Sequence, residues 1–189
     1  MALARCALRL AAMHDAPLAA QDDAALMPKV YWVDTHIDPP LKRKHDQLNQ
    51  VVDRSGQKLS FFQHVPSILF ELKARNVCIA AASRTSAPTV ARQALRELAL
   101  DRAQSSSSRG PRQSAPPIIS RDIVKAIHLF DQLEIYPGSK ITHFNKIAQT
   151  TGVAFKDMLF FDDERRNAEV QRKLGVHFVH VGSEGLDLA

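Results

Sequence analysis

The chain has 189 residues, which allows one domain with a fair core, or one domain with ornaments, and crowds out two complete enzyme domains. Its 45% apolar and 24% charged residues suit a soluble globular protein, no run approaches the roughly 18 apolar residues of a membrane span, and two cysteines, Cys6 and Cys78, exclude a disulfide framework. A formal charge of +5 and a pI near 9.4 raise the question of an anionic partner, but the only compact basic run is Lys42-Arg43-Lys44-His45, and Tyr31, Trp32 and Tyr136 are poor material for base stacking.

Met1 to about Leu26 is Ala-rich, with Arg5 and Arg9 and no acidic residue before Asp15. It reads as a disordered extension or as a short mitochondrial transit peptide, and otherwise the chain reads as cytoplasmic and reducing. The folded domain is expected over 27–189. Val65, Ile68, Leu69 and Leu72 fall on one helical face that Pro66 can open. A buried strand follows at Val77–Ala82, closing on Ser83-Arg84-Thr85, and then a helix from about Ala87 to Leu98. From about Asp101 to Pro117, Ser105-Ser106-Ser107-Ser108, Gly110, Pro111 and Pro116-Pro117 leave little to bury and predict a flexible surface insertion. Ile135 to Ser139 makes a turn into a helix carrying Ile141, Phe144 and Ala148. Met158–Phe161 reads as a second buried strand ending at Asp162-Asp163, followed by a helix stopped near Gly175 and a last strand over Val176–Val181. Apolar strands alternating with amphipathic helices predict an α/β domain with a mainly parallel sheet, the strands near Val77 and Met158 adjacent or nearly so.

In such sheets ligands bind beyond the carboxyl ends of the strands, where loops and helix N-termini converge. Ser83, Arg84 and Thr85 end one strand, Asp162 and Asp163 end another, and Lys140 opens the intervening helix. A hydroxyl donor, cations and a carboxylate pair at one edge suit a phosphoryl group with a magnesium ion. Taken singly, Ser83 is also a plausible helix cap and Lys140 a plausible surface lysine. Two adjacent carboxylates closing an apolar strand repel each other unless one is solvated, capping or metal-bound.

In this order, these residues resemble motifs two, three and four of the haloacid dehalogenase (HAD) superfamily. YWVDTHIDPP (31–40), AASRTS (81–86), EIYPGSKITHF (134–144) and FFDDERRN (160–167) resemble its magnesium-dependent phosphatase-1 family, over about 27–181 apart from the serine-rich insertion. The resemblance implies a three-layer Rossmann-like fold, bound Mg2+, and phosphomonoester hydrolysis through an aspartyl-phosphate, with phosphotyrosine or phosphosugar substrates. Partners would be phosphorylated small molecules or phosphoproteins, with no membrane; a basic nucleic-acid-binding protein is the lesser alternative that the positive charge leaves, and the lack of a stacking surface stands against it. By the same resemblance Ser83 and Arg84 bind the substrate phosphate, Lys140 neutralises it, and Asp163 with Asp162 beside it belongs to the metal shell.

The superfamily's first motif, D-x-D-x-[T/V] at the end of the first central strand, has no counterpart, since no two aspartates here are spaced i, i+2. A start like Met27-Pro28-Lys29-Val30 joins Tyr31 directly, so nucleophile, general acid and central strand are expected to be missing. Asp34 follows the apolar run Val30–Val33, but its i+2 place is His36 and Pro39-Pro40 comes too soon for a crossover helix. It reads as part of a surface flap, and Asp22-Asp23 lacks a preceding strand. Either the transcript has been altered at the Val30–Tyr31 junction, or the chain is a pseudo-enzyme that binds phosphate or a partner without turnover.

Overall fold

The computed structural model describes residues 10–12, 37–44, 47–102 and 122–182. Its strands in chain order are β1 (Leu10–Ala12), β2 (Val51–Val52), β3 (Lys58–Leu59), β4 (Ala80–Ser83), β5 (Ala99–Asp101), β6 (Ile123–Lys125), β7 (Gln132–Ile135), β8 (Leu159–Asp162) and β9 (His177–His180). Helix α1, Val65–Ala74, carries Pro66 in its first turn, where a missing N–H leaves no helical bond unmade, and buries Pro66, Leu69 and Phe70. Helix α2, Pro88–Glu97, opens on a proline in the same way and buries Ala91, Ala94 and Leu95. Helix α3, Lys140–Thr151, is capped by Ser139, whose Oγ accepts from the Thr142 N–H at 3.1 Å. Helix α4, Glu169–Leu174, stops where expected, at Gly175, whose φ of +83° costs glycine nothing.

Five strands form the main sheet in the order β7-β4-β1-β8-β9. The pairs β4/β7 and β8/β9 are parallel, while β1 runs antiparallel to both β4 and β8. Four of the five strands therefore point the same way, and their carboxyl ends share one edge. The strands ending in Ser83 and Asp162 are separated by a single strand, so they are near neighbours as expected.

That separating strand lies inside the stretch read as an N-terminal extension. Leu10 pairs with Ala81, Ala11 with Ala80 and Phe160, and Ala12 with Leu159. The expected gap at the centre of the sheet is thus filled, because facing strand edges left unpaired in the interior would strand backbone N–H and C=O groups. The rest of 1–26, the Val30–Tyr31 junction, Asp34, His36 and nearly all of the 101–117 insertion lie outside the described residues.

Alternation along β4 and β8 sorts the core into two clusters. Ala81 and Phe161 join Leu69, Phe70, Ala91, Ala94 and Leu95 of α1 and α2. Ala80, Ala82 and Phe160 join Phe144, Ile147 and Val170 of α3 and α4. Successive residues of a strand face opposite sides, so the sheet carries one helix pair against each face. This is an α/β fold. Two smaller ribbons flank it: β2 with β3, extended by a bridge from Lys42 to Val52, and β5 with β6.

Candidate functional site

At the end of β4 the chain turns into α2 through two side-chain bonds. Ser83 Oγ accepts from the Thr85 N–H at 3.4 Å, and Thr85 Oγ1 from the Ala87 N–H at 3.1 Å. Ser83 and Thr85 are both buried, and the residue at the α2 N-cap is Ala87 without a side-chain cap, so Ser83 is not the cap of that helix. Across from it, the loop after β7 is tied in by the Tyr136 N–H, which donates to the Ser83 carbonyl at 3.1 Å.

Lys140 is not a surface lysine. It is fully buried at the first position of α3; its Nζ donates to the Ala82 carbonyl and lies 5.5 Å from the centroid of the Phe160 ring. The ammonium therefore sits beneath the shared edge, between the strands that end in Ser83 and Asp162. The loop that delivers it is braced by His143, whose Nε2 is 3.1 Å from the Tyr136 carbonyl and whose ring meets the Tyr136 ring edge-on at 4.4 Å. Burial, with a hydrogen bond to the Glu134 carboxylate and its charge, pushes the Tyr136 phenol up to about 12.

The acidic pair divides. Asp162 is buried, its Oδ1 accepting from the Glu164 N–H at 2.7 Å and its Oδ2 from Asn167 Nδ2 at 2.9 Å, whereas Asp163 is exposed. Mutual repulsion is relieved by solvating one member and hydrogen-bonding the other. Two residues that sequence reasoning missed complete the cluster. Glu164 accepts from Arg84 at 2.8 Å, from Arg166 at 2.8 and 3.0 Å, and from Asn167 Nδ2 at 2.9 Å. Asn167, fully buried, thus bridges Asp162 and Glu164 with one amide nitrogen. The signal was in FFDDERRN: a third carboxylate wedged between the Asp pair and two arginines needs a partner if it is buried.

Ser83, Arg84, Lys140 and Asp162 are brought to one edge, with Asp163 beside them on its solvent side. Arg84 spans the width of β1 to reach Glu164, so the hydroxyl end and the acidic end are joined by one ion pair.

Magnesium takes oxygen ligands in octahedral geometry and commonly keeps several waters beside one or two carboxylates. Here Asp162 Oδ1 and Oδ2 already accept N–H bonds, and Asn167 Oδ1 is a buried acceptor without a partner among the described residues. No group of three or more His, Cys, Asp and Glu placed to hold a metal is found among those residues. They supply part of a magnesium shell and do not complete one.

A family model described as Acid Phosphatase matches residues 26–189. The chain belongs to the acid phosphatase family. It is similar to Magnesium-dependent phosphatase 1 of Homo sapiens, 40% identical over 158 residues that cover 84% of this chain and 73% of the relative. It is also similar to a HAD-like hydrolase superfamily protein of Schizosaccharomyces pombe, 34% identical over 148 residues, 78% of this chain and 76% of the relative. Membership rests on most of the chain, and the four strings that carried the resemblance in sequence all lie within the matched residues. By family, then, this is a phosphatase, a hydrolase of phosphate esters. No helix among the described residues is long and apolar enough to cross a membrane.

Proposed function

We propose that this chain is a magnesium-dependent phosphomonoesterase of the three-layer, Rossmann-like HAD type, or its binding-only descendant, with its phosphate site at the edge formed by β4, β7 and β8. The carrying observation is the convergence of Ser83, Arg84, Lys140 and Asp162 on that edge. Ser83 donates its hydroxyl hydrogen to a phosphoryl oxygen, and Arg84 supplies a guanidinium suited to two of them. Lys140 contributes a buried positive charge where the dianion's repulsion for carboxylates is greatest. Asp163 and Asp162 form the acidic side. Magnesium dependence, named in the human relative, is part of the proposal; the roles of Ser83, Arg84 and Lys140 stand without the ion.

A specific observation favours the binding-only reading: the sequence has no D-x-D string, and an antiparallel segment fills the centre of the sheet. Covalent hydrolysis needs a carboxylate in line with phosphorus. The deciding experiment assays the purified chain on an aryl phosphate with magnesium and, in parallel, measures inorganic phosphate binding. Turnover lost in Lys140→Met and Ser83→Ala supports the esterase, with Asp34→Asn testing whether Asp34 is its nucleophile. Binding without turnover, weakened by the same two substitutions, supports the pseudo-enzyme. If phosphate is neither bound nor released, both readings fail.

A further inference from the structure

We infer that the outward face of the β2–β3 ribbon is a docking surface for an acidic polypeptide segment, the flank of a phosphorylated protein. The substrate half of this inference rests on the phosphate site proposed above; the docking half rests on the ribbon alone. Lys42 is bonded to Val52 in both directions at 2.8 Å, and Val52 pairs in turn with Lys58. Residues in one row across paired strands present their side chains on one face, and two strand spacings place the Lys42 and Lys58 backbones about 10 Å apart. Lys44 follows two residues beyond Lys42. All three lysines are exposed.

Among the described residues of this stretch, no carboxylate is left over to neutralise them. The described residues from 37 to 61 contain two carboxylates, Asp38 and Asp53. Asp38 is taken by Arg54 in a two-pronged ion pair with both contacts at 2.9 Å. Asp53 is buried and accepts from the Asp38 N–H, the Ser55 hydroxyl and the Gln57 N–H. Lys42, Lys44 and Lys58 are left without an ion-pair partner among the described residues. A row of uncompensated cations in a chain of formal charge +5 is an electrostatic surface that attracts and orients a polyanion.

The row is also held in place relative to the phosphate site. Both backbone groups of Leu41, the residue before Lys42, bond the Gln93 side chain of α2, at 3.3 and 3.2 Å. Gln93 lies about 9 Å along the helix axis from Ala87, at the end of the Ser83–Thr85 turn. An extended peptide whose phosphate lay at the strand edge would bring its neighbouring residues toward the lysines. The chemistry favours carboxylates over nucleic acid because, among the described residues, the row itself is Lys42, Val52 and Lys58 with no ring in it, and Phe61, two residues past β3, is buried in the core.

The test uses the full chain carrying Lys42→Glu, Lys44→Glu and Lys58→Glu together, with its urea midpoint measured to verify folding. Probes are a phosphotyrosine peptide flanked by glutamates, the same peptide with glutamines, an unphosphorylated glutamate peptide, a single-stranded oligonucleotide and inorganic phosphate. The triple variant is expected to lose about tenfold or more in affinity for the acidic phosphopeptide, with a weaker salt dependence, and to bind the glutamine peptide and inorganic phosphate unchanged. Equal affinity of variant and parent for the acidic phosphopeptide would overturn the inference. So would an oligonucleotide bound more tightly than the peptide and lost in the variant. If the unphosphorylated acidic peptide binds through the lysines while inorganic phosphate does not bind, the docking surface stands and the phosphate site fails.

Discussion

Asp53 allows the stability of the basic ribbon to be read from one carboxylate. Its largest perturbation, burial, raises its pKa, but N–H donors from Asp38, Gln57 and Ser55 and the Ser55 hydroxyl outweigh burial and hold it at about 2, against 3.8 for the free side chain. At 5% exposure, solvent screens these bonds little. Because the folded value lies below the unfolded one, the group stabilises the fold by about 2 kcal/mol at pH above the unfolded value, and that contribution vanishes as pH falls through about 2. Asp53→Asn removes the charge and turns one acceptor into a donor facing N–H groups. The variant is therefore expected to be less stable by about 2 kcal/mol at pH 7, a shift of about 1 M in the urea midpoint. Urea curves at pH 7, 5, 4 and 3 for both proteins provide the measurement, and the gap between them should close towards acid. A gap that is independent of pH, or below about 0.5 kcal/mol at pH 7, would show that the hydrogen bonds to Asp53 do not carry this energy.

Glu164→Gln leaves Arg84 and Asn167 facing an amide, so the expected loss is about 2 kcal/mol, with most of it kept when the exposed Arg166 is first changed to Ala; equilibrium unfolding of the single and double variants checks this. Tyr136 should release its proton only near about 12, and Glu134→Gln should bring that titration down, as read by ultraviolet difference spectra against Tyr136→Phe. Phe144, fully buried edge-on against Phe160 at 4.8 Å, should cost about 3–5 kcal/mol when cut to alanine, measured by thermal or urea unfolding.

Elements with one strong signal were legible in sequence. Pro66 opened a helix, Gly175 closed one, and the apolar runs at 77–82 and 158–161 became β4 and β8, each displaced so that its last residue is the polar one, Ser83 or Asp162. Strand β7 was missed because Gln132 and Glu134 break an apolar run; Glu134 is nevertheless buried, answered by the Tyr136 hydroxyl. β1 was missed for a related reason, since Leu-Ala-Ala in an Ala-rich stretch carries no strand propensity, and only the two facing strands give it a role. For the candidate site, strand-end logic singled out Ser83, Arg84, Lys140 and the Asp pair, and the structure brings them to one edge of the sheet. It did not find Glu164, whose ion pair with Arg84 is made across the sheet, or Asn167, whose amide bonds Asp162 and Glu164 within the same turn.

The antiparallel strand at the centre also constrains the order in which this chain can assemble. Leu10–Ala12 precedes every other described strand in the chain, yet one of its partners, β8, is the last described strand but one. Until Leu159 and Phe160 have emerged, the segment can meet only β4 of its two partners, and no other described strand joins the β4/β7 and β8/β9 pairs. Closing the sheet is therefore a late, long-range event with a large loop-entropy cost, which slows folding and leaves two facing strand edges exposed to other chains while it is pending.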